Sequence, residues 1–143
     1  MKTYTNKLSD IKRERHVIDA KDQVLGRLAT RIARLLMGKN KATFARNVDM
    51  ADLVVVINAA QVRVTGNKMD QKMYYHHSHY PGGLSETNYR RMSQKFPTRA
   101  MELAIKGMLP HNRLGRKLAT HFRVYADAEH NHESQNPQPY EMK

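Results

Sequence analysis

The chain has 143 residues, 40% of them hydrophobic and 27% charged, and its 25 lysines and arginines outnumber 13 aspartates and glutamates for a formal net charge of +12. That length suits one domain burying roughly 68% of its unfolded surface. With no cysteine, disulfides, thiolate zinc sites and cysteine catalysis are excluded. So large a positive surplus points to a polyanionic partner whose phosphates neutralise it. The surplus falls from +7 in residues 1–50 to +4 in 51–110 and +1 in 111–143, which assigns the basic face to the first three quarters of the chain.

Residues 1–15 form a polar, basic extension carrying Lys2, Lys7, Lys12, Arg13 and Arg15. A core over residues 16–126 opens with a short strand, His16 to Ala20. From Val24 the period changes: Leu25, Leu28, Ala29, Ile32, Ala33, Leu35 and Leu36 recur every three or four residues, the mark of an amphipathic helix ending near Gly38. Leu53 to Ile57 is a continuous branched run expected of a central strand, and strand, helix and strand at this spacing predict a parallel pair. The run is too short to cross a bilayer, and Met1 to Asp10 is too polar for a signal peptide, so a cytoplasmic protein is expected.

Val62 and Val64 then alternate with Arg63 and Thr65, Gly66 and Asn67 supply a turn, and Lys72 to His76 reads as extended. Pro81, Gly82 and Gly83 break the chain before a helix expected from Ser85 to about Gln94. Another helix follows Pro97, with Met101, Ala104, Ile105 and Met108 on its apolar face. Gly107 inside it costs about 1 kcal/mol relative to alanine, which points to close packing or close backbone approach. Pro110 stops that helix before a loop and short segment bearing Arg113, Gly115, Arg116 and Lys117. Phe122, Val124 and Tyr125 suit an edge strand, and residues 127–143 form a polar extension that Pro137 and Pro139 keep extended. The expected architecture is one three-layer α/β/α domain with a small mixed, largely parallel sheet and two terminal extensions.

Arg27, Arg31 and Arg34 fall on one side of the first helix, and no acidic residue occurs between Asp22 and Asp49 to neutralise them. Guanidinium forks suit phosphate oxygens, and Lys39, Lys41 and Arg46 would continue the patch if the following loop folds back. Lys68 and Lys72 beside Tyr74 and Tyr75 combine phosphate attraction with stacking on an unpaired base, although one tyrosine of the adjacent pair should face the core. Tyr75 is assigned to the outside. His76, His77 and His79 offer at most two ligands on one strand face, so contact with nucleic acid accounts for them better than metal does. Neither G-x-G-x-x-G nor G-x-x-x-x-G-K-[ST] occurs, and no carboxylate pair has a spacing that suits general acid and base work.

The strings Asp19-Ala20, Leu25-Gly26-Arg27-Leu28-Ala29, Thr65-Gly66-Asn67-Lys68, Tyr74-Tyr75-His76-His77, Pro81-Gly82-Gly83, Lys106-Gly107-Met108-Leu109-Pro110, Leu114-Gly115-Arg116 and Glu129-His130-Asn131-His132 occur in an order that resembles large-subunit ribosomal protein family thirteen, bacterial type. The likeness covers nearly the whole chain, including a family-like Met1-Lys2-Thr3-Tyr4 start. It implies a non-enzymatic structural constituent of the large ribosomal subunit that binds its RNA, of bacterial 23S type, and supports early assembly. Neighbouring large-subunit proteins are the other implied partners, without membrane, cofactor, metal or obligate homo-oligomer. The expected RNA contacts are Arg27, Arg31, Arg34, Lys39, Lys41, Arg46, Lys68, Lys72, Tyr75, His76, His77, His79, Lys106, Arg113, Arg116 and Lys117. Regulatory messenger-RNA binding outside the ribosome, or a metal-dependent nuclease built on the histidines, are the alternatives.

Overall fold

The computed structural model describes residues 5–140; Lys2, the rest of the Met1-Lys2-Thr3-Tyr4 start and residues 141–143 lie outside them. The first strand, β1 (Arg15–Asp19), leads into helix α1 (Leu25–Leu36) and strand β2 (Leu53–Ile57), and the two strands pair in parallel from Arg15 opposite Leu53 to Asp19 opposite Ile57. That is the strand-helix-strand unit expected from the spacing. The seven apolar residues of α1 named above are all buried, and Ile18, Val54 and Val56 meet them in one core with Met101 and Ile105. Each of the leucine, isoleucine, valine and methionine side chains among them contributes roughly 1.5–3 kcal/mol on burial, so this seam holds the domain together. The helix ends where Gly38 turns to φ +72°, a position at which a Cβ would also lie 2.8 Å from the Met50 carbonyl oxygen.

The next segment departs from the sequence reading. A one-turn helix, α2 (Lys68–Gln71), precedes strand β3 (Met73–His77), whose antiparallel partner is strand β4 (Leu84–Asn88). Residues 85–88, expected to begin a helix, are therefore extended. The reversal between the strands has His79 at φ +67° and Gly82 at φ +69°, which lays Leu84 opposite His77 and Asn88 opposite Met73. Helix α3 (Tyr89–Lys95) starts only after Asn88, whose side-chain oxygen accepts the Arg91 backbone N–H at 3.0 Å as an N-cap. Pairing across the hairpin overrides the local preference of Ser85 and Glu86.

Helix α4 (Arg99–Met108) packs on α1 through Ala100, Met101 and Ile105. Met108, expected on that apolar face, is instead 40% exposed, because the backbone extends at Leu109 ahead of Pro110 and Leu109 takes the buried place. Arg113–Leu118, read as a loop and short segment, is a compact helix, α5, capped by Asn112. Gly115 is fixed there by contact: a Cβ would stand 1.7 Å from the Pro110 carbonyl oxygen.

Strand β5 (Phe122–Val124) adds to β2 at one edge of the sheet, as expected. The chain then crosses to the other edge, where β6 (Gln138–Pro139) pairs with β1, giving a parallel sheet in the order β5-β2-β1-β6. Pro139 is tolerated because that edge needs no further donor from it. Together with the separate antiparallel hairpin, this is an α/β fold with a mostly parallel sheet.

Candidate nucleic-acid interface

Because α1 buries its apolar stripe, the steps of four and three that separate Arg27, Arg31 and Arg34 turn all three outward. None of them belongs to an ion pair among the described residues, so three guanidinium groups face solvent on one rigid support. Lys39 and Arg46 are also exposed just past the helix.

Lys41 behaves differently. Its side chain is only 16% exposed; the ammonium donates to the carbonyls of Lys12 at 2.7 Å and Met50 at 3.0 Å and lies against the Asp52 carboxylate. All three of its donors are engaged inside the protein, which withdraws it from the surface patch expected for residues 39–46. The following loop does fold back, and that same fold-back turns Lys41 inward.

The hairpin supplies a second basic region. Alternation along β3 sends Tyr74 toward the core, half-buried, and leaves Tyr75 63% exposed. Burial, with a smaller contribution from the neighbouring Tyr89, pushes the Tyr74 phenol up to about 12. Lys72 places its ammonium 5.2 Å from the centre of the Tyr74 ring, while Lys68 donates to the Thr65 hydroxyl at 3.2 Å. His76, His77 and His79 are exposed; the last two meet edge to face at 5.9 Å, through the turn at His79 rather than through strand alternation.

At the third region, Lys106, Arg113 and Arg116 point outward around the Pro110 corner. Lys117 is exposed as well, but its ammonium lies 3.4 Å from the Asp49 carboxylate and so brings less net charge to the surface. The sequence reading left out Arg91, which is exposed on α3 and has no ion pair among the described residues. Arg90 beside it is paired with Asp70 at 2.9 Å.

Beneath these surfaces lies a polar cluster that the sequence did not single out. Asp49 receives Arg13 at 3.0 Å, His121 at 3.1 Å and the Ala51 backbone N–H at 3.2 Å. Burial pushes its carboxyl up, yet the Ala51 and His121 hydrogen bonds and the positive charges of His121 and Arg13 outweigh it and hold the group below 3.8. Asp52 is fully buried and accepts from the Glu14 backbone N–H at 3.1 Å and from Asn40 at 3.3 Å in addition to Lys41. Glu14, His16 and Asp52 bring donor atoms within 4.8 Å of one another, the one such group among the described residues. With the Lys41 ammonium on Asp52, that group is part of an internal charge network. The legible signal was two aspartates immediately before an apolar strand, since a carboxylate at the rim of a core demands partners.

No helix among the described residues is long and apolar enough to cross a membrane. The family model for ribosomal protein L13 matches residues 13–131. Large ribosomal subunit protein uL13 of Salinispora arenicola is 57% identical over 143 residues, covering all of this chain and 97% of the relative. The uL13 proteins of Kocuria rhizophila and Herpetosiphon aurantiacus are 55% identical over 142 residues and 52% over 143, covering 99% and 100% of this chain and 97% and 99% of theirs.

Proposed function

The chain belongs to the ribosomal protein L13 family, and from that premise we infer how its surfaces serve the particle. It is a structural, non-enzymatic constituent of the cytoplasmic large ribosomal subunit, with ribosomal RNA and neighbouring ribosomal proteins as its partners. We propose that the RNA is of bacterial 23S type and that α1, the hairpin and the Pro110 corner grip it from three sides. Arg27, Arg31, Arg34, Lys39 and Arg46 hold phosphates along one face; Lys68, Lys72, Tyr75 and the three histidines combine phosphate and base contacts at the second; Lys106, Arg113, Arg116 and Lys117 close the third. Phosphate contacts position the domain, and 2'-hydroxyl and unstacked-base contacts tell RNA from DNA. The observation that carries this reading is the row of three arginines without ion-pair partners among the described residues, on a helix whose other side is core.

A domain that touches RNA from several sides organises the RNA around it, which suits entry early in assembly. Sedimentation of a tagged copy through a ribosomal gradient tests the assignment. The tagged chain should travel with large subunits and their precursors; exclusion from both would overturn it.

A further inference from the structure

A pocket of about 530 Å³ opens between α1, α4 and the segment leading into the hairpin, within the size range of sites that hold small ligands. Leu25, Val64, Leu103, Ala104 and Met108 give it apolar walls, and Arg27, Lys68 and Lys72 bring three positive charges to the same lining. The Tyr74 ring adds an aromatic surface. The occupant this chemistry fits has a flat, apolar body joined to negative charge.

A second observation comes from two glycines. Gly26 lines the pocket from the first turn of α1, outside the left-handed region, and a Cβ built on it would meet nothing within 4 Å. Neither backbone geometry nor packing against the described residues therefore calls for glycine at this position. Gly107 on α4 lies three residues beyond Ala104 and four beyond Leu103, and a Cβ there would also stand in open space. Gly26 on the pocket wall, and Gly107 one turn beyond the pocket-lining Ala104, thus leave space that no described residue fills. A glycine in such a place permits close approach of an outside molecule.

We propose that this pocket receives a single unstacked base of the large-subunit ribosomal RNA, with Gly26 leaving room for its sugar-phosphate and Arg27, Lys68 and Lys72 holding the flanking phosphates. The inference rests on the RNA-binding reading above and adds to it a site for one nucleotide. Stacking against the pocket walls supplies the non-ionic part of the affinity, and the cations supply the salt-dependent part.

The test uses the full chain and transcribed large-subunit ribosomal RNA, read by filter binding, chemical probing of Watson-Crick edges and hydroxyl-radical footprinting. Gly26→Phe adds bulk at the pocket wall from a Cβ that meets nothing within 4 Å, Gly26→Ala adds a single methyl, and Gly26→Leu repeats the block should the phenylalanine variant melt early. The wild type should shield one unpaired base, and Gly26→Ala should weaken that protection less than the larger side chains do. Gly26→Phe should expose it and bind about tenfold more weakly, within the range a lost base stack produces, with an unchanged salt slope and backbone footprint. Unaltered affinity and base protection in the filled variants would overturn the proposal. A defect seen only in assembled particles and not with RNA alone would overturn it too, since a neighbouring protein would then be the occupant. Failure of the wild type to bind the RNA at all would instead remove the RNA-binding reading on which it stands.

Discussion

Lys39 and Lys41 are separated by one residue, yet one faces solvent and the other is enclosed by Lys12, Met50 and Asp52. The same contrast divides the whole molecule: charges at the amino-terminal ends of β1 and β2 stabilise the fold, and charges on α1 remain available to a partner. A buried ion pair removes two groups from water and must satisfy them internally, whereas an exposed cation keeps its hydration until phosphate displaces it. The count of cations therefore overstates the binding surface, because some of them are neutralised inside by carboxylates.

Removing the buried acid is the strongest way to break this division. Asp52→Ala leaves the Lys41 ammonium without its carboxylate in a largely enclosed site, and the expected loss is about 3–5 kcal/mol, read as a fall of roughly 10 °C or more in thermal melting. Lys39→Met, its exposed counterpart, should stay within about 0.5 kcal/mol of the wild type. Equal melting of the two variants would erase the distinction between the lysines.

The combined Arg27→Ala, Arg31→Ala and Arg34→Ala variant sharpens the other side. It should keep near-native stability while the slope of log affinity against log salt flattens by about 2–3 units, as loss of three phosphate contacts requires. An unaltered slope would show that this face meets no phosphate.

The smallest effect is one of pH. The folded Asp49 carboxyl sits below its ordinary value of 3.8, so its stabilisation is fully present above about pH 4 and is lost as pH falls through the lower folded value. Denaturant melts from pH 7 to pH 3 should show the gap between wild type and Asp49→Asn narrowing at the acid end. A gap that widened there would reverse the assigned sign.

The elements that sequence foretold are those whose signal is local. The period of α1, the continuous run of β2 and the stop at Pro110 each arise within a dozen residues, and all three stand where expected. The misread stretch, Ser85 to Asn88, becomes a strand only because Met73 to His77 lies beside it, a partner no local pattern reveals. Met108 failed as a core residue for a similar reason: the extended backbone at Leu109 carries the next side chain inward instead. Within the interface, helical spacing alone was enough to align Arg27, Arg31 and Arg34. The enclosure of Lys41 depends on Lys12, Met50 and Asp52, contributed by a different segment and by the far end of a loop.

By itself, the sequence determined that a small, strongly basic α/β domain would carry arginines on one helix face and serve a polyanion, since charge count and helical period need no tertiary information. The order of its motifs also determined the family. Tertiary structure decided which charges stay available, because burial and ion pairing depend on which distant residues fold against each side chain. It also decided where Gly26 lies: an ordinary helix glycine in the sequence, it lines a cation-rich pocket only once α1 and α4 pack together.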